Sequence, residues 1–254
     1  SIQDGMQLYD FGVFLEQRKE IKLAIDIFNK ALENGVQNSA KKIRELNKLK
    51  LNQLKKVGPA ESFLEQGICH FEGKDGIQIN MQKALLYLTK ASDIGCPKAD
   101  FYLGKYYKKE NNTSEAIFYF QKSADAGDDD GQNSFGDCLR LGIGIGKDEK
   151  RACEYYKLSA DQGNVNGEYN YGREILLNSS SNEEKEIGIQ YLKNAADKGS
   201  YDAMFYYSKA IKKSSPEESK EYLSKAIQGS EIAVEEYGKQ LEEQDRLEES
   251  AELY

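Results

Sequence analysis

Side chains able to do chemistry are few. His70 is the only histidine among the 254 residues, and it stands beside Cys69, one of four cysteines with Cys96, Cys138 and Cys153. A zinc site needs about four nitrogen or sulfur ligands at clustered spacing. No two of these cysteines have C-x-x-C spacing, so neither a metal nor a cofactor is expected. A nucleophile–imidazole set is not expected either, because the single imidazole neighbours Cys69 by sequence adjacency alone. The cysteines read as free thiols of a reducing compartment, with a disulfide framework as the weaker alternative. The run Gly142-Ile143-Gly144-Ile145-Gly146-Lys147 has the composition of a phosphate-binding loop. A Walker A loop would need glycine where Leu141 stands and Ser or Thr where Asp148 stands; a dinucleotide fingerprint would need glycine in place of Lys147. The 43 Asp and Glu offer many carboxylate pairs, but such pairs at helical spacing are ordinarily solvated. No enzymatic chemistry is expected.

The remaining question is what the chain can position. It has three prolines, where usage of about 5 % would give about a dozen. With much Lys, Glu, Ala and Leu, that argues for helix almost throughout. No run approaches about 20 apolar residues, so no membrane-spanning helix is expected. The net charge of −8 argues against nucleic acid as the main partner.

Self-similarity organises the rest. Gly95, Gly127, Gly163, Gly199 and Gly229 mark five copies. Four residues after them stand Ala99, Gly131, Gly167, Ala203 and Ala233, all small. Eight after stand Leu103, Phe135, Tyr171, Tyr207 and Tyr237, and nine after stand Gly104, Gly136, Gly172, Ser208 and Gly238. Upstream, Ala84, Ala116, Ala152 and Gly188 lie eleven before, and Tyr87, Tyr119, Tyr155 and Tyr191 eight before. Each of these sets shares one face of a helix, so each copy is two amphipathic helices with the marker glycine as a left-handed C-cap between them. The small residues let helix backbones approach closely.

Two stretches carry a family resemblance. Gly67…Phe71-x-Gly73…Gly76…Asn80-x-x-Lys83-Ala84 and Leu141-Gly142-Ile143-Gly144…Asp148-x-x-Arg151-Ala152…Tyr155-Tyr156…Ala160-x-x-Gly163 are similar to the Sel-one-like repeat, a relative of the tetratricopeptide repeat. The resemblance covers about residues 60–242. It implies an all-α fold, a right-handed α-solenoid of stacked antiparallel helix pairs, in a family made up chiefly of protein-binding adaptors. The loops after Tyr107 and after Asn178 lack the family's Gly-x-Gly, and the paired cysteines of its secreted branch are absent.

Outside the clear copies, residues 1–35 read as a degenerate N-terminal repeat. Residues 36–58 read as a basic amphipathic helix or connector, with Lys41, Lys42, Arg44, Lys48, Lys50, Lys55 and Lys56 against Glu45 alone. Its stripe of Ile43, Leu46, Leu49, Leu54 and Val57 suits a docked surface helix, a contact with an acidic partner or membrane surface, or a linker. Residues 59–254 form the repeat array. Its acidic end, 217–254, holds twelve acids and four bases. Ala251-Glu252-Leu253-Tyr254 repeats the start of a second helix, so the chain is expected to be a segment of a longer protein or to lack a last helix.

In a solenoid the first helices line the concave face. The outward offsets after each marker place Phe101, Asn133, Tyr169 and Phe205 in one row, Lys105, Asp137, Arg173 and Lys209 in a second, and Lys108, Arg140 and Lys212 in a third. Aromatics interleaved with cations suit an extended acidic or carboxylate-bearing peptide. The expected function is a non-catalytic protein–protein interaction scaffold or adaptor. The alternative is a structural component of a larger assembly, including head-to-tail self-association. The expected compartment is cytoplasmic; the N-x-[ST] triplets at Asn111, Asn112 and Asn178 keep a lumenal or secretory one open.

Overall fold

The computed structural model describes residues 2–17, 21–54 and 58–243. Among these residues there are fourteen helices and no strands. They form two compact units, residues 1–106 and 107–254. The first unit contains α1 (Ile2–Gln17), α2 (Ile21–Glu33), α3 (Asn38–Leu54), α4 (Pro59–Glu72), α5 (Met81–Asp93) and most of α6 (Pro97–Lys109). The second contains α7 (Thr113–Asp125), α8 (Asp129–Leu141), α9 (Glu149–Asp161), α10 (Val165–Asn178), α11 (Asn182–Asp197), α12 (Tyr201–Ile211), α13 (Pro216–Ala226) and α14 (Glu231–Glu243). All three prolines open helices, where the missing N–H costs nothing.

In the first unit α1 packs on α2, α2 on α3, and α4 on α5. Ala24, Phe28 and Leu46 form a core there, with Ile43 of the basic segment against it. Lys42 pairs with Glu16 at 2.8 Å. Lys55, Lys56 and Val57 lie outside the described residues, as does the Ala251–Tyr254 motif.

The second unit stacks helix pairs in chain order, each helix against its neighbours, while α8, α10, α12 and α14 also pack on one another in succession. This is the all-α solenoid packing that the repeat predicts. Gly127 shows how one repeat is closed. Its φ of 89° is left-handed, a conformation that a side chain resists. Gly127 N–H bonds Ala124 O at 3.0 Å and Asp128 N–H bonds Ser123 O at 3.1 Å. The Asp128 side chain then caps α8 by accepting from Gly131 N–H. Gly163 with Asn164, and Gly199 with Ser200, repeat this arrangement. Gly229 departs from the expectation: its φ is not left-handed, and its turn, 227–230, is one residue longer.

Neighbouring repeats are clasped by hydrogen bonds at equivalent places. Tyr155, Tyr191 and Tyr222 donate to Asp125, Asp161 and Asp197 at 3.0, 2.7 and 2.5 Å. The bond to Asp161, then burial, pushes Tyr191 up to about 12. Burial first and then Asp125 raise Tyr155, while Tyr222 is raised mainly by Asp197. Folded values above the ordinary tyrosine value of about 10 mean that this stabilisation is complete below pH about 10. It is lost as pH rises, through about 12 for Tyr191. Melting temperature by circular dichroism should fall across that range, and the fall should be smaller in Tyr191→Phe.

Side-chain size is matched across each helix junction. Ser123 faces Gly131 and Ser159 faces Gly167; a Cβ on either glycine would come 2.2 and 2.4 Å from the serine Oγ. At the same offsets elsewhere Ala195 is paired with Ala203, and Ala91 with Ala99, all fully buried. Gly167→Ala alone should therefore destabilise by about 2 kcal/mol. Adding Ser159→Ala should recover part of that, although it gives up the Ser159 bond to Asp129 O. A chemical-denaturation double-mutant cycle measures the coupling, which should exceed about 0.5 kcal/mol.

Candidate functional site

The face expected to bind is built from the first helices. In α8, Arg140 Nε donates to Tyr156 OH at 3.2 Å, and that hydroxyl donates to Asp137 at 2.7 Å. Tyr156 is fully buried, and burial together with the Asp137 charge raises its pKa far above the usual tyrosine value. Burial, then Asp137, pushes the Cys138 thiol up to about 11, so it is an inert core thiol and not a nucleophile. Asp137 is therefore engaged by the core.

One helix pair on, Arg173 has a side chain only 12 % exposed. Its Nη2 meets Glu174 at 2.8 Å, Nη1 bonds Tyr169 OH at 3.2 Å, and its guanidinium lies 5.1 Å from the Tyr169 ring centroid. Burial works against that charge; the Glu174 carboxylate and the Tyr169 hydroxyl outweigh it and raise the Arg173 pKa. Asn178 holds the other Glu174 oxygen at 3.1 Å. The sequence reading missed Glu174, a buried acid whose only signal was its adjacency to Arg173.

Two members of the aromatic row are not presented outward. Phe205 is 3 % exposed and belongs to the core with Ala203 and Tyr207. Asn133 is 8 % exposed and accepts a bond from Asn170 Nδ2 at 2.8 Å. Tyr169 is half-buried against that core, with Tyr206 5.8 Å away. The cause is common to all three: the next first helix in the stack covers this offset. In the first unit Phe101 is half-buried. Lys105 lies 5.5, 5.4 and 4.8 Å from the rings of Phe71, Phe101 and Tyr102, and 3.7 Å from Glu72. Lys209 pairs with Glu236 at 2.7 Å.

The second row of cations is thus spent inside the protein, and the third row is not. Lys108 and Lys212 are exposed, and neither they nor Arg140 have an ion-pair partner among the described residues. Arg140 and Arg173 both line one open cleft of about 510 Å³, which also takes in Leu141, Lys147, Glu149, Glu174, Leu177, Asn178 and Tyr206. Lys147 is neutralised by Glu149 at 2.7 Å. Leu141 and Leu177 at the rim are 54 % and 65 % exposed. The Gly142–Lys147 run forms the loop beside this cleft, with Gly142 and Gly144 in left-handed conformations that turn the chain from α8 toward α9. Among the described residues no group of acidic, histidine or cysteine side chains could hold a metal ion, and no helix is long and apolar enough to cross a membrane.

Helix pairs joined by glycine-closed turns and stacked in chain order define a helical-repeat protein. The Sel1 repeat matches residues 67–96, 97–128, 130–164, 165–200 and 203–230, and the chain belongs to that family. The family's fold is generally a non-catalytic scaffold for protein–protein interaction. A Sel1 repeat protein from Oxalobacter formigenes is 21 % identical, with a TM-score of 0.60 over 94 % of this chain and 89 % of that one. A protective antigen of uropathogenic Escherichia coli strains, displaying an SLR fold, is 20 % identical with a TM-score of 0.61. It is matched over 93 % of this chain and 56 % of its own, so the chain spans little more than half of that antigen. At these identities the likeness is one of fold. No curated protein matches the chain in sequence.

Proposed function

We propose that the chain is a non-catalytic adaptor of the cytoplasm whose second unit grips an acidic or carboxylate-bearing segment of another protein on the face of its first helices. The observation that carries this is the unpaired third row: Lys108 and Lys212 stand in water, and Arg140 stands on a cleft wall beside exposed leucines. An arginine guanidinium can meet a carboxylate through two parallel hydrogen bonds. Nucleic acid is not the intended polyanion, because the chain as a whole carries −8. The cytoplasm is supported by four free cysteines that form no framework.

The test is Arg140→Glu with Lys212→Glu. Neither residue has an ion-pair partner among the described residues to lose, but Arg140 gives up its bond to the Tyr156 hydroxyl, which keeps Asp137, so the melting temperature should fall by no more than about four degrees. Capture of partners from native extract, compared by quantitative mass spectrometry, should fall at least about tenfold. Unchanged capture of the same partners by a normally folded variant would end the proposal.

A further inference from the structure

The cleft that holds Arg140 does not end at its rim. Leu177 and Tyr206 form one side of it and also one side of a second open cleft, of about 440 Å³, between α10, α11 and α12. Leu176, Ile189 and Ala210 give that second cleft an apolar part of its lining, and Asn182, Lys185, Glu186 and Lys209 give it a polar part. Two neighbouring depressions with a common wall thus differ in chemistry: one offers a guanidinium, the other aliphatic side chains on part of its lining.

The wall itself is unusual. Leu177 is 65 % exposed, more than any other large hydrophobic residue among those described. Tyr206 is held in place, its ring edge-on to Phe205 at 5.4 Å and tilted against Tyr169 at 5.8 Å. A pinned aromatic beside an exposed leucine is an anchor surface that needs little ordering on binding. In the first cleft Glu174 holds Arg173 and Glu149 pairs with Lys147, which leaves Arg140 with no ion-pair partner among the described residues, Glu149 acting on it only at longer range.

Building on the adaptor reading above, we infer that the site is bipartite. It takes one extended protein segment carrying an acidic side chain for Arg140 and, a short distance along, a large apolar side chain that crosses Leu177 into the cleft between α10, α11 and α12. Charge complementarity fixes the first contact, and burial of aliphatic surface fixes the second. Neither contact alone is sufficient, because an exposed ion pair and a single buried leucine are each weak by themselves.

The experiment uses the purified full chain and fluorescein-labelled peptides in a Gly-Ser-Thr background. Each carries one Glu and one Leu at graded separation, and each has a partner with Glu→Gln or Leu→Ser. Fluorescence anisotropy should show one separation that binds at least about tenfold tighter than either single-feature control. Leu177→Ser should abolish the gain from the peptide's leucine and keep the dependence on its glutamate; Arg140→Gln should do the reverse. Binding that depends on Glu but ignores Leu at every separation would overturn the bipartite site and leave the adaptor reading standing. Binding that ignores Glu as well, or no binding by any peptide, would overturn both.

Discussion

Gly172→Ala lowers the melting temperature by about five degrees, while Gly146→Ala leaves it unchanged. The physical reason is a backbone-to-backbone approach. A Cβ at Gly172 would come 2.7 Å from Gly188 O and 3.1 Å from Leu192 N. Those atoms belong to the main chain of α11, so no rotamer change relieves the clash; α10 and α11 must separate. Overpacking of this kind costs about 3 kcal/mol, and the better helix propensity of alanine returns about 1 kcal/mol. The remaining loss of about 2 kcal/mol corresponds to about five degrees in a chain of this size. Gly146 has no atom within 4 Å of the same built Cβ, which makes it the control. Thermal denaturation followed by circular dichroism gives both numbers, and equal melting temperatures would show that the helix pair tolerates a wider spacing.

Arg173→Ala destabilises by about 3 kcal/mol, because it strands the Glu174 carboxylate in a site where that side chain is only 10 % exposed. The measured loss includes desolvation of an acid left with Asn178 as its remaining partner. Replacing both charges, Arg173→Met with Glu174→Leu, should return most of the stability, since two apolar side chains of similar volume need no pairing. Urea denaturation of the single and double variants decides the matter. A double variant as unstable as the single one would mean that the Tyr169 contact, rather than the ion pair, carries the energy. The same reasoning makes Arg173 a poor choice for probing partner binding. A loss of binding in its variants would report the fold, which is why Arg140 and Lys212 carry the functional test.

Much of this architecture was legible in the sequence because it is set by positions that admit few residues. Gly127, Gly163 and Gly199 could be read as turn closures from their spacing alone, since a left-handed residue followed by a cap leaves little choice. The small residues at Gly131 and Gly167 could be read as close approaches for the same reason. The binding face was harder to read. A helix considered alone has an inside and an outside, and by that criterion Phe205 and Asn133 lie outside. In the stack a second neighbour covers part of the outside, and the periodicity of one helix holds no information about that neighbour. The pairing of Arg173 with Glu174 was hidden for a related reason: adjacent residues on a helix ordinarily diverge, and only burial brings these two side chains together. Lys108 and Lys212 are exposed at the ends of their helices, whereas Arg140, at the end of α8, is half-buried, bonds the Tyr156 hydroxyl and shares a cleft with residues of the next repeat.

Turn lengths divide the chain into rigid and permissive joints. Segments 126–128, 162–164 and 198–200 are each three residues and lie at the ends of matched repeats, so the marker glycines close copies instead of dividing them as their spacing suggested; 142–148, 179–181 and 212–215, which join the two helices of a matched repeat, differ in length. At the invariant joints one residue both completes the closure of the outgoing helix and caps the incoming one, so an insertion would split two jobs that a single side chain and its amide perform together. Length varies instead at the other end of each hairpin, where the 142–148 loop borders the Arg140 cleft. A longer or shorter 142–148 loop would thus reshape the rim of that cleft, with the three-residue joints left untouched.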